Sequence, residues 1–317
     1  MQNEVDFYRK ILTIVYIFPF GANTLGMEKH QTEISTETDT QAKGQKIKEI
    51  TPPAEKPVAV VVGASSGIGA EVASLLIGRG YTVVNVARGL AKNERVKNIT
   101  ADVTQGEELE HALQAVGAEF KNVALLVYSA GFSMAAPVEA AKEADIRYLF
   151  EVNYFGAIRA IRCALPYMKA KGGKIFLISS LGSSYPIPFD SFYSSSKAAL
   201  DMLVKGARCE LKRYNITLTT VQPGGTSTSF TFKRKVYSEE ENGEYAKDVH
   251  KAVAALANME QGGMNPQEVA QGIVLETLKN SPAITFVPGG KNKAYRLMQH
   301  WLPEKWTEFL NNKKYNQ

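Results

Sequence analysis

The sequence predicts an α/β fold, a doubly wound parallel sheet with helices on both faces, and three observations lead there. Short valine-rich apolar runs recur along the chain, as strands buried on both faces require. Stretches with helical spacing of apolar residues separate those runs, and such alternation marks parallel crossovers. The first strand also runs straight into a glycine-rich turn that opens a helix, a junction that lines the ligand crevice in sheets of this kind.

Taken in order, residues 57–63 (PVAVVVG) read as the first buried strand. Residues 67–79 follow as a helix with Ile68, Val72, Leu75 and Leu76 on one face. Strands are predicted at 81–86 and 96–101, a helix at 107–120, and a further buried strand at 123–128 (VALLVY). One long helix is predicted over 144–170. A strand follows at 174–179 (KIFLIS), then a second long helix at 192–214. Residues 216–221 read as an alternating strand, 266–280 as a helix and 283–287 as the last strand. The alternation is continuous from 56 to 290, which predicts one catalytic domain with no internal repeat.

The ends differ from this body. Residues 1–55 read as a leader and disordered linker: 28–55 are rich in Thr, Gln, Glu and Lys, too polar to bury a core. Within the leader, residues 11–22 (ILTIVYIFPFGA) are uncharged and mostly apolar, yet shorter than a spanning helix and interrupted by Pro19. Three readings compete: a weak membrane-associating segment, a secretion signal, or translated leader ahead of Met27. The first and third are favoured, since Glu4 and Asp6 spoil a positive signal-peptide start. Residues 291–317 form an amphipathic extension with Tyr295, Leu297, Met298, Trp301, Leu302, Trp306, Phe309 and Leu310 among basic residues.

Composition narrows the function classes. Of 317 residues, 44% are hydrophobic and 22% charged, ample for a packed core. The net charge of +5 is scattered rather than gathered on one face, which argues against nucleic acid as a partner. Cys163 and Cys209 show no metal or redox spacing and are expected as small buried residues; the four histidines form no cluster, so no metal is expected.

Chemistry enters at the glycine turn, Gly63-Ala64-Ser65-Ser66-Gly67-Ile68-Gly69. Glycines let the backbone approach a pyrophosphate, and the helix start offers unpaired N–H groups. The next strand ends at Ala87-Arg88, where an NAD-selective site carries an acidic residue instead. A guanidinium there suits a 2′-phosphate, so NADP(H) is favoured as cofactor and NAD(H) stands second. Farther along, Tyr193 and Lys197 lie one helical turn apart on one face. An ammonium beside a phenol is expected to lower the phenol's pKa, as an acid/base for an alcohol or ketone requires. Ser180 comes just after the strand KIFLIS and could polarise a carbonyl.

With these motifs in place, residues 57 to about 290 resemble a short-chain dehydrogenase/reductase, a Rossmann-like oxidoreductase. The matching stretches are GASSGIG at 63–69, Asp102-Val103, Ser129-Ala130-Gly131, Asn153, Ile178-Ser179-Ser180, Tyr193…Lys197 and Pro223-Gly224…Thr228. The resemblance implies that Tyr193 exchanges the proton, Ser180 orients the substrate, and Asn153 builds a water-linked relay with Lys197, which also binds the nicotinamide ribose. It implies adenine contacts from Asp102 and Val103. It also places Pro223, Gly224, Thr226 and Thr228 against the nicotinamide carboxamide and the pyrophosphate. Two positions depart from the family pattern: Val62 stands for the usual threonine, and Ser129 for the usual asparagine.

By the family's layout, residues 181–192 and 225–260 flank the reactive carbonyl. Leu181, Tyr185, Pro186, Ile187, Pro188, Phe189, Phe230, Phe232, Val236 and Tyr237 give them an apolar, aromatic lining that suits a lipophilic ketone or alcohol. The second segment is long enough for a mobile lid. The tail's placement resembles members acting on steroids, retinoids and sphingoid bases. Against this stand a polar sugar or acyl-thioester substrate, a non-catalytic dinucleotide sensor, and a membrane scaffold. The expected protein is cytoplasmic, with peripheral membrane contact through residues 11–22 or the extension, and a homodimer or homotetramer built on the long helices, as family members often are.

Overall fold

The computed structural model describes residues 56–303, 305, 306, 308 and 309. The expectations placed on 1–55 and on the end of the tail lie outside them. Seven parallel strands form the main sheet: β1 (Val58–Val62), β2 (Thr82–Ala87), β3 (Lys97–Thr100), β4 (Leu125–Tyr128), β6 (Gly173–Ile178), β7 (Ile216–Val221) and β9 (Thr285–Phe286). Their order is β3-β2-β1-β4-β6-β7-β9. The chain thus builds outward from β1 through β2 to β3, then crosses back to lay β4 on the other side of β1. That reversal opens a crevice beyond the carboxyl ends of β1 and β4, where ligands bind in open α/β sheets.

Alternation within β1 explains the two layers. Val58, Val60 and Val62 face one core, against α2 (Gly106–Phe120), α4 (Gly156–Ala164) and α5 (Ser191–Leu211). Ala59 and Val61 face the other, against α1 (Gly67–Gly78) and α8 (Pro266–Thr277). Every residue of β1 is buried, as a central parallel strand requires. The predicted alternation of 216–221 is corrected for the same reason: β7 lies between β6 and β9, and all but Thr217 are buried.

The long helix predicted over 144–170 is interrupted. It runs as α3 (Glu143–Phe150), a π-helical turn at Glu151–Phe155, α4 and a short 3-10 turn. The wide turn frees backbone groups, and the Tyr128 hydroxyl donates to the Val152 carbonyl at 2.6 Å. Gly156 makes this approach feasible, since a Cβ there would stand 2.4 Å from that hydroxyl.

The segment after β7 is more ordered than its loop-like sequence implies. Residues 225–261 contain β8 (Lys235–Val236), α6 (Glu239–Asn242) and α7 (Ala246–Gln261). β8 pairs in parallel with β5 (Met134–Ala135), which fastens the segment beside the end of β4. Neither cysteine is buried as expected: Cys163 is half-buried and Cys209 exposed, both free. The extension opens as α9 (Gly290–Trp301), and no described helix is long and apolar enough to cross a membrane.

Candidate active site

The glycine turn lies in the crevice between β1 and β4. Gly63 (φ +93°) and Gly67 (φ +59°) adopt left-handed backbone that favours glycine. A Cβ on Gly69 would come within 2.3 Å of the Gly63 carbonyl oxygen, so no larger residue fits. Ser66 is the N-cap of α1, yet its side chain caps no amide, and the first turn holds no acid. The helix therefore presents uncapped N–H groups at its positive end, the chemistry that holds a phosphate. Ser65 packs under Gly89, and Ile68 packs on the core of the α1 face. Ser129 donates its N–H to the Val62 carbonyl at 2.8 Å, setting Ala130 against Gly63 and bringing the turn after β4 to the same place. These residues fit a dinucleotide.

A residue passed over in the sequence organises this turn. Asn85 is fully buried in the apolar run TVVNVA, where a lone polar residue was the available signal. Its Oδ1 accepts from the Ala64 N–H at 2.9 Å, and its Nδ2 donates to the Gly89 carbonyl at 3.0 Å. Arg88, just beyond β2, is exposed and stands 3.7 Å from the Asp102 carboxylate. Asp102 also accepts from the N–H and hydroxyl of Thr104 at 2.9 and 2.8 Å. Val103 turns its side chain into the core.

The four expected acid/base residues converge. Asn153 sits in the π-helical turn, fully buried. Its Oδ1 accepts from the Phe132 N–H at 3.0 Å, and its Nδ2 donates to the Phe132 carbonyl at 2.9 Å and to Ser196 Oγ at 3.0 Å. Ser196 in turn donates to the Tyr193 carbonyl at 2.7 Å, so Asn153 is tied to the helix of Tyr193. A Cβ on Gly131 would lie 3.1 Å from Asn153 Oδ1 and 3.3 Å from Lys197 Nζ, which places all three together. Ser180 caps a short turn, its Oγ accepting from the Gly182 N–H at 3.0 Å.

Tyr193 and Lys197 are both buried on α5. Lys197 Nζ donates to the Ile178 carbonyl at 2.9 Å and stands 5.7 Å from the Tyr193 ring centroid. Burial lowers the Lys197 pKa to about 8, against the nearby Asp201 carboxylate, which raises it. Here the expected direction for the phenol is corrected. Burial pushes the Tyr193 pKa up, and the hydrogen bond with Ser180 pulls it back only in part. The Asp190 and Glu260 carboxylates add to the rise and Arg234 opposes it, so desolvation sets the direction.

Pro223, Gly224, Thr226 and Thr228 follow β7. The Pro223 carbonyl accepts from the Leu181 N–H at 3.0 Å, and Thr226 Oγ1 donates to the Gly224 carbonyl at 3.0 Å. Thr228 reaches the glycine turn, 3.7 Å from a Cβ position on Gly67. Around Tyr193 lies an apolar cluster of Met134, Ala136, Leu149 and Tyr237 with Phe132, Phe192 and Phe230 against it. Phe230 and Tyr237, expected near the reactive carbonyl, belong to this cluster, whereas Phe232 and Val236 point outward at 78% and 46% exposure. Among the described residues no group of His, Cys, Asp and Glu could hold a metal ion.

Sequence reasoning missed a buried charged cluster next to this lining. Ser133 donates to Asp190 at 2.8 Å, and Arg234 Nε donates to Ser133 Oγ at 3.1 Å. Arg234 Nη2 pairs with Glu260 at 2.5 Å, and Thr231 donates to Glu260 at 2.6 Å. Burial raises the Asp190 pKa to about 7, against Ser133, Arg234 and the Met134 N–H, which lower it; Glu260 adds to the rise.

Residues 57–238, over half the chain, match the family model described as short chain dehydrogenase. The chain belongs to this family and is a dehydrogenase/reductase. It is 28% identical to a 3-ketodihydrosphingosine reductase of Bacteroides thetaiotaomicron over 80% of this chain and 95% of that one. It is 33% identical to the NADPH-dependent 1-acyldihydroxyacetone phosphate reductase of Saccharomyces cerevisiae over 56% and 64% of the two chains. A short-chain dehydrogenase structure from Streptomyces avermitilis superposes with a TM-score of 0.69 at 30% identity, covering 83% of this chain and 97% of that one.

Proposed function

We propose that the protein is an NADP(H)-dependent oxidoreductase that interconverts a lipophilic ketone and its secondary alcohol, with Tyr193 as the acid/base. The observation that carries this reading is the burial of Tyr193 beside Ser180 and Lys197, in the crevice that begins at the glycine turn. A bound nicotinamide supplies or takes up the hydride. A phenol with a raised pKa is protonated at neutral pH, so Tyr193 is poised to give a proton to the oxygen of a carbonyl being reduced. Ser180 holds that oxygen, and the Ile178 carbonyl keeps the Lys197 ammonium in place, with Asn153 close by across Gly131. Arg88 supplies the cation for a 2′-phosphate, in keeping with the NADPH dependence of the yeast relative.

The apolar, aromatic cluster around Tyr193 supports a lipophilic substrate, as do the substrates named for the two relatives. A second cluster, Ile187 and Leu256 with Tyr185, Ala255 and Met259, extends the apolar surface. The test is a panel of long-chain, cyclic and polar ketones assayed with NADPH. Turnover should concentrate on the lipophilic ketones, and Tyr193→Phe should lower kcat by about 10²–10⁴-fold while cofactor affinity holds. Turnover of sugars or hydroxy acids alone would reject the substrate class. Undiminished turnover by Tyr193→Phe would reject its role.

A further inference from the structure

The basic run Lys233-Arg234-Lys235 lies beside the acid/base residues, and its first two members differ sharply in surroundings. Arg234 has a side chain only 1% exposed, held by Glu260 at 2.5 Å and Ser133 at 3.1 Å. Lys235 pairs with Asp145 on the outer side. Lys233 is exposed, makes no ion pair among the described residues, and reaches back across the cleft to Ser66, with Nζ 3.3 Å from Oγ.

Ser66 is the N-cap of α1, so this ammonium stands at the positive end of a helix whose first turn carries no acid. A cation there is electrostatically unfavourable unless an anion lies between it and the amides. Thr228, from the same segment, also closes on the turn at Gly67. The buried Arg234 cluster fixes the backbone next to Lys233, so the ammonium's place over the glycine turn is built into the fold.

We propose that Lys233 is a cofactor ligand delivered from the substrate side, whose ammonium binds the diphosphate held by the glycine turn and straps residues 231–236 over it. This rests on the dinucleotide reading of that turn. A charge-assisted bond of this kind is shared by both nicotinamide nucleotides, because the diphosphate is common to them, whereas Arg88 acts on the 2′-phosphate alone.

The test is fluorescence titration of the full chain with NADPH and, separately, NADH, for wild type, Lys233→Gln and Lys233→Arg. Thermal melts without nucleotide serve as the folding control. Lys233→Gln should raise both Kd values tenfold or more in equal ratio and flatten their salt dependence, and Lys233→Arg should restore most of the affinity. Wild-type affinity for both nucleotides in Lys233→Gln would overturn the proposal. A loss confined to NADPH would overturn it too, by moving Lys233 to the 2′-phosphate. If folded wild type bound neither nucleotide, the dinucleotide reading itself would fall.

Discussion

Desolvation dominates the ionisable residues at the centre of this protein. Tyr193 is held protonated, Lys197 is brought to a pKa near 8, and Asp190, at the start of the same helix, is brought to about 7. Asp190 gives a sign that can be checked. Its folded pKa lies above the unfolded value, so its contribution to stability is full below the unfolded pKa and fades as pH rises through about 7. Its charged neighbours are Arg234 and Glu260, and it is further bonded by Ser133 and the Met134 N–H. Asp190→Asn keeps an acceptor for Ser133 and removes the titration. Thermal melts at pH 5.5 and 8 should show the variant gaining on wild type at the higher pH; a difference between the two proteins that did not change with pH would contradict the burial account. Tyr193 and Lys197 stood out in the sequence by lying one helical turn apart and Ser180 by following a strand, whereas Asn153 was marked only by the family resemblance. The Arg234 cluster was not legible: Arg234 and Glu260 are 26 residues apart, and no local periodicity links them.

Among the elements, the interrupted helix does most to place the site. A continuous α-helix over 144–170 would leave the Val152 carbonyl inside its ladder, away from the Tyr128 hydroxyl, and would rotate Asn153 off the Phe132 backbone. The π-helical turn was illegible because no residue type in Glu151–Phe155 distinguishes a wide turn from an ordinary helical one. Gly156 decides the matter. On helix propensity alone, Gly156→Ala would stabilise by up to about 1 kcal/mol. A Cβ there, however, meets the Tyr128 hydroxyl at 2.4 Å and the Glu151 carbonyl and Val103 Cβ at 3.2 Å. The overpacking term should win, at about 1–3 kcal/mol of lost stability in urea denaturation. A variant as stable as wild type would mean the π-helical turn does not need its glycine. By contrast, the central strands read correctly from their valine runs, because burial on both faces favours apolar residues over all but a few hydrogen-bonded polar ones such as Asn85.

At the scale of the whole molecule, the sheet reversal at β1 and β4 gathers elements from distant parts of the chain around one crevice. The glycine turn and the Ser129 turn come from β1 and β4, Asn153 from the π-helical turn, and Tyr193 and Lys197 from α5. The C-terminal helix joins them from behind: Arg296 bonds Gln222, Gln222 bonds Asp201, and Asp201 raises the Lys197 pKa. The strand–helix alternation made this architecture legible, while β8 was hidden because it is two residues long and pairs with β5, far earlier in the chain. The central claim is that the crevice holds a nicotinamide nucleotide and that Arg88 selects the phosphorylated form. Its most direct test is titration of the full chain with NADPH and NADH, beside Arg88→Glu. The account predicts tighter binding of NADPH by wild type and selective loss of that preference in the variant. Folded protein that bound neither nucleotide would contradict it.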